Sequence, residues 1–163
     1  MKLNEVIAKY GNQEIDESKI KEVLGVKERK VWKPKPTELY WYITPSGILN
    51  EVIFTDAESD IRQFELGNMY KTQQEAEFAR DKQIFLTKFE RYLRENEDEE
   101  VDWNNFKQDK WSIYMDYGSK QIFTNGWVST HSQGSIFTSN VKALEQFIKD
   151  NESDIKKYMF GVE

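Results

Sequence analysis

The sequence predicts an α+β fold of two β-β-β-α units, with antiparallel sheets and with the helices on one face, preceded by a short helical pair. Three observations predict this fold. The segment 67–76 recurs in residue type and spacing at 134–143. The aromatic and aliphatic stretch 40–43 is matched by a similar stretch at 110–113. A Thr-x-x-Glu capping box at Thr72 predicts that a helix begins after the first of these repeats.

These observations divide the chain into three segments. Residues 1–31 carry apolar side chains at helical spacing, which predicts an N-terminal helical segment of two short helices. The prolines of the stretch 33–36 favour an extended linker. Residues 32–95 form the first sheet–helix unit and residues 96–163 form the second. A DNA-binding helix-turn-helix is disfavoured, because the second short helix lacks side chains that could read a groove.

In the first unit we expect a strand at 39–44, a return strand at 48–54 and a short third strand at 69–70. The intervening stretch 55–66 is acidic and is expected to be mostly loop. The helix after Thr72 has apolar residues three and four positions apart over about 22 residues, so it should span about 33 Å. This helix is expected to be the main core helix, and its far end is a candidate homodimer surface.

The second unit repeats the pattern. We expect strands at 111–117 and 121–128, joined by a glycine-containing turn, and a short third strand at 135–137. A helix with apolar residues on one face should follow, and either Ser139 or Asn140 would cap it.

Composition limits the class of protein. The chain has no cysteine, which excludes disulfides and thiolate metal sites. No run approaches the roughly 20 apolar residues of a membrane helix, and the first residues lack the apolar core of a signal peptide. The formal net charge of −6 opposes general binding to nucleic acid, because such affinity comes mostly from phosphate contacts. We therefore expect a cytoplasmic protein that does not associate with membranes.

The usual residues of catalysis are sparse. The one histidine, His131, stands among the hydroxyl residues 129, 130 and 132, but nothing marks an acid that would orient its ring. Asp56 and Asp60 lack the spacing of a calcium loop, and no glycine-rich phosphate loop occurs. Paired carboxylates remain open, because geometry rather than spacing identifies them. We expect no enzyme activity, no cofactor and no metal.

Charge is concentrated in two runs. The basic run, 27–35, holds five cations and one acid, whereas the acidic segment, residues 95–102, holds six acids and no base. A solvated loop is the plain explanation for each run. A surface for a basic partner, with nearby aromatic rings as anchors, is the alternative. The candidate partner-binding residues are Glu95, Glu97, Asp98, Glu99, Glu100, Asp102, Trp103, Trp111 and Tyr117.

Four stretches of the sequence resemble a group of small accessory proteins from phages and prophages of Gram-positive bacteria. They are 40–43, 67–77, 111–117 and 155–163, and the resemblance covers the chain from about Trp32 onward. The group has no catalytic motif to carry over. The resemblance implies a phage accessory protein that acts in the host bacterial cytoplasm.

Small acidic phage proteins of this kind often bind and block a host protein, as anti-CRISPR proteins do. The leading hypothesis is a non-enzymatic inhibitor or modulator of a host protein, such as a nuclease or another defence protein, whose basic channel the acidic segment would occupy. One alternative is direct binding of single-stranded nucleic acid through the basic run and the strand aromatics, although the excess of acid makes this unexpected. A structural or assembly role in the virion is a further alternative.

Overall fold

The computed structural model describes residues 31–127, 129, 131 and 134–162. The chain divides into two compact units, Met1–Lys33 and Pro34–Glu163, and every helix and strand of the described part lies in the second. The helical pair predicted for residues 1–31 falls outside the described residues, apart from Val31.

Helices and small antiparallel sheets share the compact unit Pro34–Glu163. In chain order the elements are β1 (Leu39–Ile43), β2 (Leu49–Ile53), α1 (Glu58–Glu65), α2 (Gln73–Glu95), β3 (Lys110–Asp116), β4 (Gln121–Trp127) and α3 (Val141–Ile155), and a π-helical turn (Lys156–Phe160) follows α3. Within the described residues no helix combines the length and the apolarity that crossing a bilayer requires. The expected mixture of helices with antiparallel strands is therefore confirmed.

Each sheet contains two strands. β1 pairs with β2 so that Leu39 lies opposite Ile53, and β3 pairs with β4 so that Lys110 lies opposite Trp127. The third strand predicted for each unit was not confirmed. In its place stands one isolated bridge pair per sheet.

The two bridges have the same local geometry. The backbone groups of Trp41 and Tyr70 exchange hydrogen bonds of 2.9 and 2.8 Å, and those of Trp111 and Thr138 exchange bonds of 2.8 and 2.9 Å. A helix cap follows each bridge residue by two positions, so no length remains for a strand. In the first sheet the side-chain amide of Asn68 extends the pairing, since it accepts from the backbone N–H of Ile43 at 2.9 Å and donates to its carbonyl at 2.8 Å.

Both predicted helix caps are present. Thr72 Oγ1 accepts a hydrogen bond from the backbone N–H of Glu75 at 3.2 Å, and the Glu75 carboxylate accepts from the backbone N–H of Thr72, which completes the capping box. Asn140, rather than Ser139, caps α3, because its Oδ1 accepts from the backbone N–H of Ala143 at 3.0 Å. The structure thus aligns Thr72 with Asn140, one residue later than the sequence repeat implied.

The core lies between α2 and α3 and is closed by the inner face of β3. It contains Phe85, Phe89 and Leu93 from α2 and Leu144, Phe147 and Ile155 from α3. The rings of Phe89 and Phe147 stack with their centroids 4.6 Å apart. The expectation that α2 is the main core helix is confirmed, since burial of such rings is the largest favourable contribution that a small domain can make.

One helix was missed. Residues 58–65 form α1, where the sequence indicated mostly loop. Ile61 and Phe64 of α1 are half-buried, and the most buried residue of the helix is Asp60, which is only 5% exposed. Its carboxylate accepts hydrogen bonds from Tyr40 Oη at 2.9 Å, the Thr55 backbone N–H at 2.8 Å and Thr55 Oγ1 at 2.9 Å. A single pair of apolar residues, three positions apart, is too short a period for sequence analysis to identify a helix.

Candidate functional site

The acidic segment is fixed to the start of α3. Asn140 Nδ2 donates hydrogen bonds to the carbonyl of Asn96 at 2.8 Å and to the Asp98 carboxylate at 3.1 Å. Ser139 Oγ donates to the carbonyl of Glu99 at 2.6 Å and accepts from the Glu99 backbone N–H at 3.3 Å. Asn140, which caps α3, and its neighbour Ser139 therefore hold the backbone of the acidic segment.

A buried glutamine fixes the same segment from the other side. Gln108 Nε2 donates to the carbonyl of Glu100 at 2.8 Å, and Gln108 Oε1 accepts from the backbone N–H of Asp102 at 2.7 Å. The acidic segment is thus tied by side-chain hydrogen bonds at several backbone positions. A freely solvated loop, the plain explanation of the acidic run, does not describe its backbone.

The carboxylates of this segment border a cleft of about 790 Å³. Glu97, Glu99 and Glu100 line it from the segment, and Glu90 adds a fourth carboxylate from α2. Arg94 is the one cation among the lining residues. In the described part of the chain no ion pair neutralises these four carboxylates.

Three rings form another wall of the cleft. The centroids of Trp103 and His131 lie 4.4 Å apart, those of Trp103 and Phe137 lie 5.0 Å apart, and those of His131 and Phe137 lie 5.4 Å apart. His131 makes no hydrogen bond or ion pair with any described residue. Its ring therefore contributes a stacking surface, and nothing in this arrangement activates it as a base.

The electrostatics of the cleft favour a cation. Burial raises the pKa of Glu97 above its usual range, the Arg94 guanidinium opposes the rise, and the charge of Glu100 adds to it. A raised carboxyl pKa means that the ionised form of Glu97 is disfavoured where it stands. A cation from a partner would relieve that cost, because it would stabilise the ionised carboxylate.

A buried lysine supports the aromatic wall. Lys110 is 0% exposed, and its Nζ donates to the carbonyls of Asn105 and Gln108, both at 2.8 Å. The same Nζ lies 5.6 Å from the ring centroid of Trp103. Lys110 therefore fixes the turn that connects the acidic segment to β3 and places Trp103 beside the cleft.

The structure brings together four of the predicted partner-binding residues, Glu97, Glu99, Glu100 and Trp103, in this cleft. Asp98 and Asp102 instead accept hydrogen bonds within the fold, Asp102 from the backbone N–H of Asn104 at 2.9 Å. Glu95 belongs to a different groove along α2.

The two remaining predicted anchors lie elsewhere. Trp111 packs against the core, where its ring lies so close over Gly126 that a Cβ at that position would approach it to 3.0 Å. Tyr117 is 64% exposed at the β3–β4 turn, and its hydroxyl donates to the carbonyl of Phe160 at 3.3 Å. Trp111 is therefore a core residue, and Tyr117 is an exposed residue that does not line the cleft.

Sequence analysis missed both the ring neighbours of Trp103 and the outer face of the second hairpin. His131 and Phe137 reach the cleft from a segment far along the chain, so no local spacing links them to the acidic run. On the outer face Tyr114 and Phe123 stack at 5.6 Å, and Trp127 is also exposed. Period-two alternation could have identified this face, since these residues alternate with inward ones.

The described residues contain no cluster of three or more His, Asp or Glu side chains placed to hold a metal ion. Comparison of the chain with protein-family models, curated proteins and solved structures returned no match.

Proposed function

We propose that the protein is a non-enzymatic inhibitor that seats its acidic cleft on a basic surface of a host nucleic-acid-binding protein, such as a defence nuclease. The observation that carries the proposal is the fixed backbone of the acidic segment. Side chains of Gln108, Ser139 and Asn140 hold that backbone, while the carboxylates of Glu97, Glu99 and Glu100 keep no ion-pair partner among the described residues. The phage origin implied by the sequence resemblance gives this activity its biological setting.

Preorganisation is the physical argument for binding. A segment that is already ordered loses little conformational entropy when a partner docks, so more of the interaction energy remains as affinity. Unpaired carboxylates on one surface also steer a basic partner during encounter. A channel that binds nucleic acid presents the complementary charge, because it has to hold phosphates.

The exposed rings support a protein partner. In the described residues of the second half, 96–162, every exposed large apolar residue is aromatic: Phe106, Tyr114, Tyr117, Phe123 and Trp127. Tyrosine and tryptophan are the residue types that most often carry the binding energy of protein interfaces. The net charge of −6 favours this use of the rings over base stacking.

We also propose that the two halves are copies of one ancestral unit. A hairpin, a single bridge to a tryptophan on its first strand, a cap two residues later and a core helix recur in the same order. The acidic cleft would then be an addition to the second copy.

The test is affinity capture of the tagged full chain from a Gram-positive host lysate, with and without nuclease treatment. Three chains are compared: the wild type, a cleft variant with Glu97→Gln, Glu99→Gln and Glu100→Gln, and a control with Glu51→Gln, Glu65→Gln and Glu145→Gln. The control makes the same charge change at exposed acids outside the cleft. Asp98 is left unchanged in the cleft variant because Asn140 binds it.

We expect the wild type and the control to retain one host protein after nuclease treatment, and the cleft variant to bind it about tenfold more weakly. Equal retention by the cleft variant and the control would refute the proposal. Recovery that depended on nucleic acid would favour a direct nucleic-acid binder, and presence of the protein in purified phage particles without any captured protein would favour the virion role.

A further inference from the structure

A second concavity runs along α2 on a flank different from that of the acidic cleft. This basic groove, of about 1040 Å³, lies between α2 and the turn that joins β1 to β2. Its charged lining residues are Arg80, Lys88, Arg91 and, at one end, Glu95. Cations therefore outnumber acids in this groove, on a chain whose formal net charge is −6.

The cations of the groove differ in whether another side chain of the same chain binds them. Arg80 pairs with Asp81 at 2.9 Å, and Lys88 Nζ donates to Asn151 Oδ1 at 2.8 Å. Arg91 is exposed and forms no ion pair with any described residue. Beside these charges the groove exposes two aliphatic side chains, Ile84 at 60% and Leu66 at 78%.

We infer that this basic groove binds the acidic segment of a second copy of the chain. The carboxylates of that segment are also the ones proposed to contact the host protein, so a given segment makes one contact or the other. The acidic segment has the complementary chemistry, because six of its eight residues are acids and none is a base. The net charge of each copy opposes indiscriminate association, so a contact between copies requires local complementarity of this kind.

The order of the two surfaces along α2 suits a closed dimer. The groove cations span positions 80–91, about 16 Å of helix, and the acidic segment begins where α2 ends. In an antiparallel pair of α2 helices whose two-fold axis passes near position 95, each acidic segment lies opposite Arg91 of the other copy. Both contacts then form at once around a two-fold axis, which closes the assembly at two chains.

Nucleic acid is the competing occupant, and the groove suits it less well. Its two rings, Tyr70 and Tyr92, are half-buried, whereas single-strand binding sites use exposed rings as stacking platforms. A segment rich in acids matches the excess of cations in the groove.

The test reverses the charge of one surface at a time and measures dimerisation of the 163-residue chain by sedimentation velocity. Arg91→Glu makes the groove repel the acidic segment, and Glu99→Lys with Glu100→Lys makes the segment repel the groove. We expect the wild type to dimerise and each variant alone to dimerise at least about tenfold more weakly. An equimolar mixture of the two variants should form a heterodimer, because both contacts are again between opposite charges.

Lys149→Glu is the matched control, since it reverses an exposed charge on α3 outside the groove. It should leave dimerisation unchanged, and circular dichroism confirms that every variant is folded. A wild type that stays monomeric overturns the inference. So does a dimer that survives Arg91→Glu, or a mixture of variants that fails to associate. Binding of a labelled single-stranded oligonucleotide that Arg91→Glu abolishes would assign the groove to nucleic acid instead.

Discussion

The first half of the compact unit, residues 34–95, and the second half, residues 96–162, place a hairpin, a bridge and a capped helix in the same order, yet each buries an ion of opposite sign. In the first half it is Asp60, which joins α1 to the hairpin through Tyr40 and Thr55. In the second it is Lys110, which holds the turn before β3 through backbone carbonyls. The two halves share backbone pairing and helix capping, which we call the frame. They differ in the segment that the buried ion holds, which is α1 in the first half and the turn before β3 in the second.

The exposed apolar residues of the two halves also differ in type. The exposed large apolar residues of the first half, from 34 to 95, are mainly aliphatic: Leu39, Ile48, Val52, Ile53, Leu66, Phe78 and Ile84. Those of the described residues in the second half are all aromatic. The two halves can therefore differ in their outward side chains while the bridge, the cap and the core helix recur.

Removal of the buried acid should have the largest effect. Asp60→Ala leaves the Tyr40 hydroxyl and the Thr55 backbone N–H without an acceptor, so we expect the free energy of unfolding to fall by about 3 kcal/mol in chemical denaturation. Glu65→Ala, at an exposed position of the same helix, is the control and should cost only a few tenths of a kcal/mol.

The dependence of stability on acid pH tests the role of the buried Asp60 in a second way. Burial alone would raise the pKa of Asp60, but the hydrogen bonds from Thr55 and Tyr40 outweigh it and hold the pKa below its usual range. The unfolded state therefore binds more protons between the two pKa values, and the stabilisation, present at neutral pH, is lost as the pH falls below about 3.9. The Asp60→Ala variant should lack this part of the acid dependence; an unchanged acid dependence would mean that the carboxylate is not held as described.

Removal of the buried cation should lower the stability by an intermediate amount and should also loosen the acidic segment beside the cleft. Lys110→Met keeps the apolar stem but leaves the carbonyls of Asn105 and Gln108 without their donor, so we expect a loss of about 2 kcal/mol. Amide hydrogen exchange in the acidic segment should also accelerate, whereas in Asp60→Ala it should not. Lys107→Met is the matched control because it changes an exposed lysine of the same turn. A Lys110→Met chain as stable as the control would show that water satisfies both carbonyls.

Sequence analysis located the parts of the frame that depend on neighbouring residues. The capping box at Thr72, both hairpins and the apolar face of α2 depend on spacings of two to four residues, which the sequence displays directly. It missed α1, because this short helix has one pair of apolar residues at helical spacing, Ile61 and Phe64, and its most buried residue is an acid. It assigned a third strand to each sheet, because it could not show that the caps at 72 and 140 leave room for a single bridge pair.

The candidate site was predicted in part for a related reason. The carboxylates of Glu97, Glu99 and Glu100 and the ring of Trp103 are close in the chain, and their grouping was visible. The contributions of His131 and Phe137 arise only when α3 and the preceding segment fold back on the acidic segment. Lys110 could not be recognised as buried. In the sequence, a lysine at the start of a strand looks the same whether water or backbone carbonyls accept hydrogen bonds from its ammonium group.

The smallest expected effect is a difference in stability between two cap variants. It separates the contribution of helix capping from that of the hydrogen bonds that attach the acidic segment to Asn140. Thr72→Ala removes a cap and should cost about 1 kcal/mol. Asn140→Ala removes the equivalent cap and also the bonds to Asn96 and Asp98, so it should cost about 0.5 kcal/mol more. Asn140→Ser can restore the cap but is too short to reach the acidic segment, which should keep its accelerated amide exchange.

Denaturation curves and amide exchange of the four chains, the wild type and these variants, measure both quantities. If the frame is shared, the stability recovered by Asn140→Ser over Asn140→Ala should match the cost of Thr72→Ala. If Asn140→Ala costs no more than Thr72→Ala and leaves exchange in the acidic segment unchanged, Asn140 does not hold that segment. The preorganisation on which the proposed inhibitor depends would then have to come from Ser139, Gln108 and Lys110.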